Sequence, residues 1–422
     1  MKKKILFIMS EYPPTSSPTS IVVKPVIEKL QANYEVYILS IGKSNNYLSS
    51  DHKIKLYTVH GGVEKNDQKS FFLTKLSRLK LRLQQIFNIP IFPVLRPIVL
   101  KRFKDAALSI CEKEKIDCII SVCFPQEAVA AGSYVKTIMP EITFVPYIID
   151  AFAGGTLPKY LPSKYARKKK IDFENKVTKN SDLIIAMESA KPFYVSHDMI
   201  DNHYFLNPAL LKSNEVTNLT GDEKSGHLDC TKINILYTGY LYLPDRNPSY
   251  VIHLISALRL DNVCLSFIGN CSEDVLKVIE AEKVDFYGEL KHIGFVQHDE
   301  LKSWLNDADI LLNLGVSNSN AISGKIFEYM AYGKPILTTY FDENDAALPY
   351  LKRYPLSFCI NQDNESLEIA TQNLRRFIDN SLGKKVPYEY VKKEFYSSTP
   401  EAFVELIDSI WREKKYENRY YI

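Results

Sequence analysis

The stretch ILFIMSEYPPTSSPTSIVVKPVIEKLQANYEVYILSI, residues 5–41, decides the fold class. It reads as an apolar strand (ILFIM), a loop rich in Ser, Thr and Pro, a helical stretch (VKPVIEKLQAN) and a second apolar strand (EVYILSI). Both strands are apolar at consecutive positions rather than alternate ones. A strand of that kind is buried on both faces, as in a parallel sheet covered by helices on each side. The three lysines before ILFIM imitate a signal peptide, but the apolar run stops after five residues at Ser10 and Glu11, too short for such a segment.

The same grammar continues. KIKLYTV, DCIISVCF, TFVPYIID and DLIIAM are further apolar runs separated by helical stretches. It restarts at INILYTGYLY (233–242), followed by LSFIGN (265–270), VDFYG (284–288), ADILLNLG (308–315) and KPILTTY (334–340), all read as strands. The intervening residues 206–232 are polar and turn-rich, as expected of a hinge. The expected fold is α/β, with two doubly wound Rossmann-like domains facing across a cleft. Their expected bounds are 1–205 and 206–405, with an amphipathic helix over 406–422 packing back across the boundary. In such folds ligands bind at the carboxyl ends of the strands.

Composition narrows the function classes. With 422 residues, 45% hydrophobic and 24% charged, the chain is long enough for two cores and is not low-complexity. A net charge of +3 does not suggest a general nucleic-acid binder. The seven cysteines include no CxxC pair, and the eight histidines show no metal-ligand spacing, which points to a reducing, cytoplasmic setting without a zinc cluster. No run reaches the roughly 18–20 apolar residues of a spanning helix. Nucleotide-binding signatures are missing too: IGKS (41–44) lacks the upstream glycine of a P-loop, and there is no GxGxxG. Asp307 and Asp309 form a DxD pair, but they stand between a helix and a strand, where polar residues mark a turn.

ISGKIFEYMAYGKPIL (322–337) is more specific. Ile326, Phe327 and Met330 form an apolar stripe at helical spacing, and Gly333 and Pro335 end the helix. Lys325 falls in the first turn, where the helix dipole disfavours a cation. It is either a solvated surface charge or the partner of an anion held by the amides of Ser323, Gly324 and Lys325. Glu328, one turn later, suits the hydroxyls of a ribose or sugar. In YTGYLYLPDRNP, Gly239 follows a strand directly, so backbone can approach a ligand there, and Arg246 comes seven residues on.

In their order, strand-Gly-x6-Arg, LSFIGN, HIGFV, ADILLNLG and SGKIFEYMAYGKPIL resemble the second domain of GT-B fold glycosyltransferases, specifically glycosyltransferase family 4. The resemblance covers about 233–340, with the SEYPP loop in addition. It implies that Glu328 binds the nucleotide ribose and that Ser323–Lys325 hold the diphosphate. It further implies that Val296 meets the base, that Gly269 lines the donor pocket and that Arg246 takes the place of a diphosphate lysine. Two positions depart from the family pattern. Asn320 stands where many members carry a glutamate, and Tyr240 stands where a cation follows the first-strand glycine. Lys325 is read as the substitute for that cation. In the first domain, Ser17 and Thr19 stand where the family has a Gly-Gly loop against the donor phosphates, although Pro18 removes one amide donor. Asp150 stands where a histidine is common near the sugar; its alternative role is a turn or helix cap.

The resemblance implies a retaining, hexosyltransferase-type enzyme using a UDP- or GDP-sugar as donor substrate, with no tightly bound cofactor and no required metal. Arg246, Lys325 and Asp150 are its candidate catalytic residues. The acceptor implied is a glycan or a polyprenyl-linked molecule of capsule or other bacterial surface polysaccharide assembly. Residues 71–104 carry Lys75, Arg78, Lys80, Arg82, Arg96, Lys101, Arg102 and Lys104 among large apolar residues and no acid. Such a stretch suits either an anionic membrane surface, hence peripheral attachment at the inner face, or a pair of surface helices with a basic face. The rival readings are a nucleotide-sugar 2-epimerase of the same fold and a non-catalytic sugar-binding or scaffold descendant.

Overall fold

The run that opens the chain forms strand β1 (Lys4–Ile8), whose last four residues are fully enclosed. In the computed structural model the residues described are 2–13, 17–42, 47–50, 54–61, 89–90, 92–94, 96–149, 152–155, 157–158, 160–213, 227–316, 322–364 and 366–417. The chain divides into two compact units, Met1–Ala209 joined by Pro400–Ile422, and Leu210–Thr399.

In the first unit β1 pairs in parallel with β2 (Glu35–Gly42) and β5 (Cys118–Cys123). The eight-stranded sheet runs β3-β4-β2-β1-β5-β6-β7-β8, where β3 is Tyr47–Ser50, β4 Ile54–His60, β6 Thr143–Ile148, β7 Ile184–Met187 and β8 His203–Leu206. Among the described strands only the β3–β4 pairing at the edge is antiparallel. All six residues of β5 and of β6 are buried, the physical counterpart of their uninterrupted apolar sequence. Each large apolar side chain so enclosed contributes about 1.5–3 kcal/mol. Ser17 caps the helix Pro18–Leu30 in a reciprocal arrangement, its hydroxyl accepting from the Ser20 amide while the Ser20 hydroxyl accepts from the Ser17 amide. The helix Pro400–Glu417 closes this unit: Phe403 packs on Tyr147, and Lys29 pairs with Glu401 at 2.9 Å.

The second unit has a fully parallel sheet in the order β11-β10-β9-β12-β13-β14. Its strands are β9 (Ile233–Thr238), β10 (Val263–Ile268), β11 (Glu289–Gly294), β12 (Ile310–Leu314), β13 (Ile336–Tyr340) and β14 (Ser357–Asn361). VDFYG (284–288), expected as a strand, is a turn instead, and β11 begins one residue later at Glu289, opposite Cys264. The reason is local. Gly288 sits at φ +110° against the Val263 carbonyl, which breaks the extended chain, and Val284 is 83% exposed. The DxD pair is structural: Asp309 accepts the amide of Asn234 at the start of β9, and Asp307 accepts that of His227. Lys334, in the Gly-Lys-Pro that ends the helix Lys325–Ala331, is buried and donates to the carbonyls of Asn306 and Ala308 at the end of the helix His298–Asp307.

The order of this second sheet reverses between β9 and β12, so the loops leaving those two strands diverge and open a crevice at their carboxyl ends. Two glycines close its floor. Gly239 donates its N–H to Ile268 O at 2.7 Å, and Gly269, at φ +125°, lies so close that a Cβ on it would stand 2.2 Å from Gly239 O. Gly269→Ala is therefore expected to destabilise the protein by at least the roughly 1–3 kcal/mol of such backbone strain. Urea denaturation measures this, and an unchanged midpoint would contradict the close packing of the β9 and β10 ends.

Candidate active site

The helix Lys325–Ala331 is fastened to the end of β9 by two side chains on one of its faces, at i and i+4. Lys325 sends its ammonium to the carbonyl of Thr238, so close beneath Gly239 that a side chain there would collide with the nitrogen. Tyr329 accepts the Thr238 amide at 3.1 Å, and its hydroxyl lies 2.9 Å from the Thr238 hydroxyl. Lys325 is thus not a solvated charge. It fills the space that the absent Cβ of Gly239 leaves, next to the half-exposed Tyr240.

Tyr237 forms the base of this arrangement. Its ring lies under the Lys325 ammonium, 5.2 Å from nitrogen to centroid, and its hydroxyl accepts from Arg246 Nη1 at 3.1 Å. The turn carrying Arg246 is closed by the Arg246 amide on Tyr242 O at 2.9 Å. The guanidinium Nε is buried without a hydrogen-bond partner among the described residues. Two cations therefore converge where β9 ends. Burial pushes the Lys325 pKa down to about 7, and the nearby Arg246 guanidinium adds to the shift against a smaller opposing effect of Glu328.

Glu328 has the complementary problem. It is mostly buried, has no hydrogen-bond partner among the described residues, and burial raises its pKa against the pull of Lys325, Lys212 and Lys302. A carboxylate held this way is poised to accept from hydroxyl donors. The amides of Ser323, Gly324 and Lys325 begin the helix, where N–H groups have no intrahelical acceptor. Gly269 donates to Gly294 O, and its carbonyl is held by His292 Nε2 at 2.9 Å; Val296 follows in the loop after β11.

The structure thus brings together Gly239, Arg246, Lys325, Ser323, Gly324 and Glu328, with Gly269 adjoining through Gly239. It adds residues that the sequence reading missed: Tyr237, Tyr329 and the buried Asp345. Asp345 accepts from Val316 N at 3.0 Å and Ala347 N at 2.8 Å, so it fixes where the chain leaves β12. A tyrosine four residues after Lys325 was the available signal for Tyr329; nothing in the sequence marked Asp345.

In the first unit, the Ser17 hydroxyl serves its own helix cap and Thr19 lies in the first turn. Asp150 and Asn320 lie outside the described residues, as do Lys75, Arg78, Lys80 and Arg82. Of the other basic residues of 71–104, Arg96 pairs with Glu127, Arg102 donates to His60 O, and Lys104 lies over the Tyr134 ring. Lys101 is exposed on the helix Pro97–Glu114. No described helix is long and apolar enough to cross a membrane. Among the described residues no group of three His, Cys, Asp or Glu side chains could hold a metal ion.

Residues 232–352 match the family model described as Glycosyl transferases group 1, the stretch that contains this whole arrangement. The fold as a whole is that of GT-B glycosyltransferases. Sucrose-phosphate synthase from Thermosynechococcus elongatus superposes with a TM-score of 0.60 at 12% identity, over 99% of this chain and 100% of that one. HepE from Anabaena in complex with UDP-glucose gives 0.54 at 13% identity, over 98% and 99%. The lipopolysaccharide outer core galactosyltransferase WaaB gives 0.55 at 12% identity, over 97% and 99%. No curated protein sequence matches the chain. Residues 232–352 thus carry the match to group 1 glycosyl transferases, and the likeness to the solved structures is one of fold.

The Lys325 shift has a sign that can be measured. An unfolded lysine keeps its proton up to about 10.5, while the folded one releases it near 7. Between those values the unfolded state binds more protons, so this group makes stability rise with pH across that window, with no contribution to the slope below 7. Relative to Lys325→Met, the wild-type protein should therefore gain stability from pH 7 to pH 9. Urea titrations at both pH values measure the difference, and a constant offset would place the titration outside this range.

Proposed function

We infer that the protein transfers a sugar from a nucleoside-diphosphate sugar to an acceptor hydroxyl with retention of anomeric configuration. The observation that carries this reading is the Lys325 ammonium seated at Gly239, beside Arg246 and one turn before an unbonded, mostly buried Glu328. Two cations forced together with only partial compensation by Glu328 are costly, and a diphosphate removes that cost by accepting from both. In this reading the amides of Ser323–Lys325 complete the diphosphate site, Glu328 holds the ribose hydroxyls and Val296 meets the base. The UDP-glucose bound to the HepE neighbour favours a uridine donor.

The chemistry follows from where charge develops. The bond between the sugar anomeric carbon and the diphosphate oxygen breaks, and negative charge grows on the leaving diphosphate. Lys325, Arg246 and the helix amides face that charge and stabilise it; preorganised donors of this kind are often the largest catalytic effect. The acceptor oxygen bonds to the anomeric carbon on the face the diphosphate leaves, and its proton passes to a diphosphate oxygen. These groups act without a metal, and Asp150 would orient a hydroxyl of donor or acceptor. The acceptor is taken as a glycan or lipid-linked molecule of bacterial surface polysaccharide assembly, a reading supported by the likeness to WaaB.

Calorimetry with UDP and GDP tests the site. A charge-assisted hydrogen bond is worth roughly 1.5–3 kcal/mol, so Lys325→Ala and Glu328→Ala should each weaken UDP binding by about tenfold or more. Unchanged affinity in both folded variants would overturn the assignment. At pH 8, UDP binding to the wild type should also take up a proton, seen as a buffer-dependent enthalpy, and Lys325→Met should abolish that dependence.

A further inference from the structure

The segment that leaves β9 carries two tyrosines, Tyr240 and Tyr242, that the proposed diphosphate site does not use. Beyond Gly239 the chain runs alongside the exit of β10 and is fastened to it by backbone. Leu241 donates its amide to Asn270 O at 3.1 Å, its carbonyl accepts the Ser272 amide at 3.0 Å, and it bridges in parallel to Cys271. Its side chain is buried in the core of the second unit. Side chains alternate along an extended segment, so Tyr240 and Tyr242 share the side that faces away from that core.

There they stack on one another, with ring centroids 5.9 Å apart and an angle of 28° between the planes. With Tyr242 against one face, the Tyr240 ring remains 52% exposed. The pair is tied to both cations of the site. The Tyr237 hydroxyl, which accepts from Arg246, donates to Tyr240 O at 3.3 Å, and Tyr242 lies near enough to the Arg246 guanidinium to act on its charge. Lys325 fills the space at Gly239, one residue before Tyr240. A ring attached to a diphosphate held by these cations therefore falls within reach of Tyr240. The base does not, since Val296 follows β11, two strands along the sheet from β9.

We propose that Tyr240, backed by Tyr242, is a specificity-determining platform on which the transferred sugar packs, and that this sugar is a neutral pyranose presenting a face of C–H bonds. The inference rests on the sugar-transfer reading and extends its diphosphate site by one ring. A pyranose carries its hydroxyls at the rim, while the slightly positive C–H hydrogens of its face meet the negative face of an aromatic ring. Packing of this kind buries the C–H face and leaves the rim hydroxyls free to bond, so no polar group is stranded. Where the family pattern has a cation, a tyrosine gives the carboxylate of an acidic sugar no charged partner.

UDP, UDP-glucose, UDP-galactose and UDP-glucuronic acid, titrated calorimetrically into the full chain and into Tyr240→Ala and Tyr240→Phe, test the platform. The better bound of the two neutral donors should bind the wild type more tightly than UDP, by about threefold or more, and UDP-glucuronic acid should not. Tyr240→Ala should remove that gain while leaving UDP affinity unchanged, and Tyr240→Phe, which keeps the ring, should retain it. An equal loss for UDP would mean that the ring serves the base or the phosphates, and a phenylalanine variant that behaves as the alanine one would mean that only the hydroxyl acts. Either result overturns the platform, as does a wild type that gains nothing from a neutral sugar or prefers the acidic one. If UDP binds and the sugars behave in any of these ways, only this inference falls; if UDP itself does not bind, the sugar-transfer reading falls and takes the platform with it.

Discussion

The contact between the Lys325 ammonium and the Thr238 carbonyl organises the second unit's crevice, because it is available only under two conditions. Residue 239 must lack a Cβ, and the helix after β12 must start close enough to β9 for a lysine in its first turn to reach across. The sheet order supplies the second condition, since β9 and β12 are neighbours whose outgoing loops diverge. Tyr329, one turn on, fixes the same helix to Thr238 through neutral hydrogen bonds, so the helix orientation does not depend on the charge state of the lysine. With that face committed to β9, Glu328 stands where no described protein group bonds it.

The two units solve different electrostatic problems. In the second, cations are gathered at a strand end with aromatic and carbonyl partners, Tyr237 and Thr238, rather than carboxylates. That arrangement holds them in place without a direct ion pair among the described residues, with Glu328 offsetting the Lys325 charge only in part. In the first, Arg167, Lys170 and Glu174 of the helix Ser163–Thr178 are consumed by the backbone of residues 152–155, after the end of β6, and they shape a loop. Buried charge thus gathers at a strand end in one place and holds a loop in the other. The bonded partner in each case, rather than the residue type, separates the two roles.

Legibility in the sequence followed the range of the interactions. Strands such as CIISVC and TFVPYI were legible because burial on both faces leaves an uninterrupted apolar run, a purely local trace. VDFYG misled, because its three strand-prone residues are interrupted by Asp285 and outweighed by Gly288 and an exposed Val284. Lys325, Glu328 and Gly239 stood out through their order along the chain and the oddity of a cation in a first helical turn, and the structure places Lys325 against Gly239. Tyr237 and Asp345 were not, since a tyrosine in a strand and an aspartate in a turn look alike whether they support a site or only a fold. Ser17, read as a phosphate candidate, also caps the helix that it precedes.

The sequence by itself determined the alternation of strands and helices, the restart near residue 233 and the set of cations and carboxylates from which a site is built. These are properties of neighbouring residues: apolar period, capping chemistry and turn composition. Only the tertiary structure decided that Lys325 occupies the space of a missing side chain 86 positions earlier, or that an arginine, a lysine and a glutamate of one helix hold one loop. Both depend on strand order and on close approach of distant backbone. Hydrogen bonding and desolvation act over a few ångströms in space, whatever the separation along the chain.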